Sequence, residues 1–256
     1  NYVWHKVIIN NKIYLVIIDD LNNKKVLCDL YINLNKKKEQ INKSFLLKKS
    51  KLICGHSNNP FLFKNIEKKY LNKMDRVHLS LSSSVNKKIL IIIIKTLNNF
   101  QKKNKPNSKL NLNIFSTSYD FSVFKRLKFN FLKIRYFNDS KKYINDMKKS
   151  DLGIGFAGMS MFDRMSYLLP SINFSISKNQ DISLKDQYLR KFMYAGNLKT
   201  KYFDLEIKKN IEFFLKNEKL RKKIFDNLNN LPKKENFKLN IKIEKIINEI
   251  KFNRNL

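Results

Sequence analysis

The sequence predicts an α/β chain whose larger part is a Rossmann-like domain, a parallel sheet covered by helices. Three observations predict it. From residue 75 onward, short apolar runs alternate with helical patterns, the rhythm that right-handed crossovers turn into a parallel sheet. Residues 151–180, DLGIGFAGMSMFDRMSYLLPSINFSISKNQ, read as one strand, turn, helix, strand unit. Apolar residues make up 43% of the 256 positions and aromatics 12%, ample for a buried core.

Taken in order, residues 13–18 are a continuous apolar run ending in Asp19 and Asp20, as expected of a parallel strand with acids at its carboxyl end. Further strands are predicted at 26–34 and 51–55, with a basic segment at 35–50 between them. Few helices separate these three, so residues 1–57 read as the latter part of an α/β domain. Residues 58–74, with Asn58-Asn59-Pro60 and then a polar helical pattern, suit a connector. Residues 75–256 read as the second domain. Its strands are predicted at 76–81, 110–115, 129–137, 152–156 and 171–176, and its helices at 85–100, 118–127, 141–149, 185–194, 205–216, 218–231 and 241–252. The run Ile89 to Ile94 favours a strand by propensity. The helix is preferred because 95–101 continues its pattern and a strand there would break the alternation.

Within 151–180, the small residues Ala157-Gly158-Met159-Ser160 let backbone approach a ligand directly after a buried strand. Ser160 reads as the helix N-cap, Phe162, Met165, Tyr167, Leu168 and Leu169 as its apolar stripe, and Pro170 as its stop. Such a turn sets free N–H groups and the positive end of a helix dipole at the carboxyl edge of the sheet, where a phosphate or nucleotide binds. Asn179 and Gln180 are expected in a loop just beyond the next strand, on the same edge.

Composition excludes several classes. No apolar run approaches the 18 or so residues that a membrane helix needs. Nothing in the sequence suggests export, and the two cysteines, Cys28 and Cys54, sit in apolar runs without CxxC spacing, so buried thiols in a reducing cytoplasm are expected. The formal net charge of +32 invites a nucleic-acid reading. The excess, however, is nearly all Lys and spread from end to end, beside abundant Asn and Ile, as in a chain shaped by A- and T-rich codons. No nucleic-acid-binding motif accompanies it, so no specific nucleic-acid partner is expected. The three histidines, His5, His56 and His78, share no metal-ligand spacing. Neither a metal nor a cofactor is expected, and the oligomeric state is left open.

Residues 150–180 resemble the nucleotide-binding motif in the second domain of GT-B-fold sugar-nucleotide enzymes, which runs roughly AD-aliphatic-G-AGG-S/T, then an acid, an aliphatic-Pro stop and a closing ENQ. Upstream, Ile18-Asp19-Asp20-Leu21, Cys28-Asp29-Leu30 and Leu52 to Gly55 resemble, in order and spacing, the IDDL, CDL and LLG landmarks of the UDP-sugar hydrolases of pseudaminic acid biosynthesis. The resemblance covers most of residues 1–180. It implies a GT-B-like fold, a UDP or UDP-sugar ligand, and a final helix that crosses back to the first domain. It also implies roles: Ala157, Gly158, Met159 and Ser160 in the nucleotide turn, Asp163 as the acid that holds ribose, and Asn179 with Gln180 at the cleft. Ser82, Ser83 and Ser84 stand where that family has a GGSD loop.

The departures are specific. Met159 replaces a glycine, Asp163 is one methylene shorter than the family's Glu, and no GxGHxxR-type catalytic histidine loop occurs in these residues. No catalytic residue is therefore assigned, and this chain alone is expected not to turn over a UDP-sugar. Asp163 also reads as an ordinary solvated helix acid, and Asn179 with Gln180 as a plain loop. A hydrolase-like role is the first expectation, with a UDP-sugar-dependent GT-B glycosyltransferase or a degenerate, non-catalytic homologue as the alternatives.

Overall fold

The structure is a computed structural model that describes residues 2–11, 13–19, 22–47, 49–59, 61–80, 87–116, 128–196, 203–233 and 239–254. Along the chain these form α1 (Tyr2–Asn10), β1 (Val16–Ile18), β2 (Leu30–Asn33), β3 (Lys51–Cys54), β4 (Arg76–Ser80), α2 (Lys87–Asn104), β5 (Leu110–Phe115) and β6 (Leu132–Phe137). They continue as α3 (Ser140–Lys149), β7 (Leu152–Phe156), α4 (Met159–Ser166), β8 (Ser171–Phe174), α5 (Lys178–Lys185), β9 (Tyr194–Ala195), α6 (Phe203–Lys216), α7 (Glu218–Asn229) and α8 (Leu239–Arg254).

Two compact units result, one of residues 1–62 with 235–256 and one of residues 63–234. The first holds a parallel three-stranded sheet in the order β1-β2-β3. Leu30, Ile32 and Ile53 on this sheet pack against Ile243, Ile246 and Ile250 of α8. The last helix thus belongs with the first sheet, as the resemblance implied, although the domain bounds read from the sequence put 235–256 in the second domain. The acids of the sequence landmarks serve local structure. Asp19 accepts hydrogen bonds from the Tyr31 hydroxyl at 2.6 Å and the Asn22 amide at 2.9 Å, and Asp29 accepts one from the Leu15 amide at 2.9 Å. Residues 61–74 form no helix. From residue 63 onward they are part of the second unit, with the Asn65 amide bonded to the Ser166 carbonyl and Lys68 Nζ to the Ser150 carbonyl.

The second unit is a six-stranded parallel sheet in the order β6-β5-β4-β7-β8-β9, the doubly wound arrangement in which the strand order reverses between β4 and β7. The five predicted strands are all present and parallel, and β9 is an addition. Ile89 to Ile94 lie inside α2. Because the pattern in this helix puts Ile89, Leu90, Ile93, Ile94 and Leu97 on one buried stripe, tertiary burial overrides the strand propensity of β-branched residues.

The two faces of this sheet differ in chemistry. Side chains alternate across a strand, and Val77, Leu79, Leu112, Ile114, Ile154, Phe156, Ile172 and Phe174 make one face wholly aliphatic and aromatic. The other face carries His78, Ser80 and Asn113 on β4 and β5, Gly153 and Gly155 on β7, and Ser171 and Asn173 on β8. Register aligns them in rows: His78 pairs with Asn113 and Gly153, and Gly155 pairs with Ser80 and Asn173. Such a buried polar face needs hydrogen-bond partners, and α3 and α4 supply them.

Candidate functional site

The switch between β4 and β7 opens a crevice at the carboxyl edge of the sheet, where ligands bind in open α/β folds. Three helices start at that edge, α2 after β4, α4 after β7 and α5 after β8. Ser82, Ser83 and Ser84, between β4 and α2, lie outside the described residues.

Ala157 is buried, its amide bonded to the Phe174 carbonyl at 2.8 Å. Gly158 rather than Ser160 is the N-cap of α4, with φ −96° and no side-chain cap. Ser160 falls inside the first turn; the Met161 amide bonds to the Gly158 carbonyl at 2.9 Å, while the Met159 and Ser160 amides ahead of it have no side-chain acceptor from the cap, the arrangement that suits an anion. Met159 is 54% exposed, which turns its side chain outward and removes the steric objection to a non-glycine there. Gln180 sits in the first turn of α5, not in a loop. It is buried, its Oε1 accepts the Ile176 amide at 3.1 Å, and its Nε2 would lie 3.7 Å from a Cβ added to Gly158. The turn and Gln180 are therefore brought together. Asn179 is in the same helical turn, and its side chain is outside those described. Asp163 accepts a hydrogen bond from the Tyr143 hydroxyl of α3 at 2.9 Å.

Beneath this edge lies a group that sequence reasoning missed. Arg164, fully buried, extends from α4 across the polar face of the sheet. Its Nη1 donates to Ser80 Oγ at 2.5 Å and more weakly to Ser160 Oγ at 3.3 Å. Its Nη2 donates to the Phe156 carbonyl at 2.9 Å and to Asn173 Oδ1. The two glycines of β7 make room for it: a Cβ at Gly153 would lie 2.6 Å from Arg164 Cδ, and one at Gly155 2.5 Å from Nη1. Burial lowers the guanidinium pKa to about 10, so it remains a cation at neutral pH. Glycine inside a strand marks the close approach of another group, and the pair Gly153 and Gly155 was the available signal.

A second buried cluster adjoins it. His78 Nδ1 contacts Asp146 Oδ2 at 2.6 Å, and Asn113 Nδ2 donates to Asp146 Oδ1 at 2.5 Å. The His78 Nε2 is buried with no hydrogen-bond partner among the described residues. Burial holds the His78 pKa below its ordinary value against the pull of Asp146. A ring so enclosed cannot reach a substrate, and it acts as part of the core. Between α3 and the edge strand β6 a basic concavity of about 480 Å³ is lined by Arg76, Arg135, Lys142 and Lys149 together with Asn113 and Asp146. It gives diffuse anion attraction away from the α4 turn. Among the described residues, no cluster suited to a metal ion occurs and no helix is long and apolar enough to cross a membrane.

A doubly wound sheet with this turn at its switch point, in one chain with a second parallel α/β unit, is an arrangement of the GT-B-like kind. No protein-family model and no curated protein matches the sequence. Solved structures with this fold include the pneumococcal O-GlcNAc transferase GtfA in complex with UDP and GlcNAc, at TM-score 0.59 and 11% identity over 94% of this chain and 55% of that one. A GtfA/B complex gives TM-score 0.59 and 12% identity over 95% and 55% of the two chains. Arabidopsis thaliana UGT89C1 complexed with quercetin gives 0.58 and 8% over 94% and 68%. The chain spans about half the length of the first two. At such identities the likeness defines the fold, and these relatives in fold are glycosyltransferases, the alternative in the sequence reading, rather than the hydrolases named first.

Proposed function

We propose that this chain binds a uridine nucleotide or UDP-sugar at the α4 turn and forms the nucleotide-binding part of a UDP-sugar-dependent glycosyltransferase of GT-B type. The observation that carries the reading is the uncapped start of α4 beside Gly158 and Gln180, at the switch point of a doubly wound sheet. Free amides and the helix dipole at that point favour a diphosphate. In glycosyl transfer the diphosphate leaves with the bonding electrons, so positive potential there stabilises the departing charge more than the bound substrate. Asp163, one turn into α4, is the proposed acceptor for ribose hydroxyls. The hydrolase reading is weaker, because the landmark acids Asp19 and Asp29 are engaged in local hydrogen bonds.

Discrimination tests this, since a chain of net charge +32 attracts any anion. In calorimetry at about 150 mM salt, where the Debye length is about 8 Å, UDP should bind more tightly than ADP or pyrophosphate. Asp163→Ala should weaken UDP binding by about 1–2 kcal/mol, the range for a hydrogen bond to a charged group. Tyr143→Phe, which removes the internal partner of Asp163 and a hydroxyl contact to Ser80 but touches no proposed ligand contact, should leave UDP affinity nearly unchanged. Equal binding of the three ligands, indifferent to Asp163, would reduce the site to a basic surface.

A further inference from the structure

Arg164 is buried as a cation, yet its hydrogen-bond partners among the described residues are two hydroxyls, one carbonyl and one amide, with no carboxylate. Its Nε has no partner there at all. Burying an ion in this way is expensive relative to an apolar side chain of similar volume, and the sheet gives up two side chains, at Gly153 and Gly155, to admit it. What the guanidinium holds is specific. Ser80 is the last residue of β4, Phe156 the last of β7, and Asn173 pairs with Gly155 near the end of β8. Ser160 lies in the first turn of α4. One rigid, planar group thus joins three neighbouring strand ends to the start of the helix, which the fixed fork of Arg can do and the single ammonium of Lys cannot.

We propose that Arg164 is a positioning residue for the nucleotide diphosphate: it fixes the ends of β4, β7 and β8 against the first turn of α4 and holds a positive charge beneath the anion's seat. The inference rests on the uridine-nucleotide reading above. It explains how a turn with Met159 in place of a glycine, and without a basic side chain of its own, can still favour a diphosphate. It also makes the polar face of the sheet a support for the site.

The test compares UDP with uridine, which lacks the anion, by calorimetry on the full chain carrying Arg164→Met or Arg164→Lys. Arg164→Met should weaken UDP binding about tenfold or more while uridine affinity stays within about twofold, because only the diphosphate feels the lost charge. Arg164→Lys, which keeps the charge without the fork, should fall between the wild type and Arg164→Met. A general structural defect would instead lower both ligands in parallel, and that result, or an unchanged UDP-to-uridine ratio in Arg164→Met, overturns the inference. Should Arg164→Met not fold, the wild-type chain decides by nuclear magnetic resonance of its arginine Nε–H groups. The Arg164 signal should shift on adding UDP and hold still with uridine, and a signal indifferent to UDP overturns the inference. A wild type that does not prefer UDP over ADP removes the underlying reading as well, whereas a wild type that does, with the UDP-to-uridine ratio unchanged in Arg164→Met, removes this inference alone.

Discussion

Replacing Gly155 by Ala is the most exacting test of the buried layer beneath the site. The added methyl would lie 2.5 Å from Arg164 Nη1, 2.7 Å from Cζ and 2.8 Å from Nη2, roughly an ångström inside ordinary van der Waals contact. Gly155 is in a central strand, paired with Ser80 on one side and Asn173 on the other, so the backbone has little room to retreat. The guanidinium can yield only by loosening its bonds to Ser80, Phe156 and Asn173. Overpacking of this kind costs about 1–3 kcal/mol, and one hydrogen bond to a charged group adds about 1.5–3 kcal/mol, so a loss of about 3–5 kcal/mol is expected. For a domain of this size each kcal/mol corresponds to about 2–4 °C, which places the fall in Tm at roughly 6–20 °C. Urea unfolding followed by circular dichroism measures the free-energy loss, and a thermal scan the fall in Tm. Gly158→Ala is the control, because its nearest neighbour would be Gln180 Nε2 at 3.7 Å and exchanging Gly for Ala at an N-cap costs about 1 kcal/mol or less. In the background of Arg164→Ala the penalty at Gly155 should shrink by most of its value, a coupling that a double-mutant cycle reads directly. Equal costs at Gly155 and Gly158, or an unaltered Gly155 penalty without Arg164, would refute the packing argument.

Two further outcomes follow from buried groups. The folded pKa of His78 lies below its unfolded value of about 6.5, so the unfolded chain binds the proton more readily; this contribution to stability is complete above about pH 6.5 and is lost as pH falls toward the folded value. Unfolding midpoints in urea should therefore drop on acidification below pH 6.5, with a smaller drop in His78→Asn; identical pH profiles would mean that His78 is not held neutral by burial. The Cys28 thiol is fully buried and pushed up to about 11 by burial, and both Cys28 and Cys54 are free. Iodoacetamide at pH 8 should leave Cys28 unmodified in the folded chain and label it in urea, as peptide mass spectrometry would report; rapid labelling without urea would contradict the packing around β2.

Much of this architecture was readable because it rests on local pattern. β5 alternates apolar residues with Asn111 and Asn113, β7 is a short apolar run, and they occur at 110–115 and 152–156 as read. Elements without such a pattern escaped. The α1 segment is rich in β-branched and aromatic residues, α5 is a polar run of eight residues without an apolar stripe, and β9 is two residues long. The predicted helix at 185–194 is instead a single 3-10 turn at Leu189–Lys191 running into β9, and the one at 118–127 lies outside the described residues. Pro170 does not end α4; the helix closes earlier through Leu168 at φ 53°, with the Leu169 amide on the Arg164 carbonyl. At the site, the turn and its neighbour Gln180 were legible because the strand-to-helix step is written in consecutive residues. Arg164 was not, since a charged residue in a helix is read as solvent-facing unless a distant strand is known to lie beneath it. Its counterpart in the sequence was the absence of side chains at Gly153 and Gly155, a signal visible only once β7 is known to be central.

The most direct test of the central claim is a map of backbone amide shifts in the isotope-labelled chain titrated with UDP at about 150 mM salt. Binding at the α4 turn predicts the largest changes at Gly158, Met159 and Ser160, followed by Asp163 and Gln180, with little change along α3. Shifts concentrated at Arg135, Lys142 and Lys149, around the basic concavity, with the α4 turn silent, would contradict it.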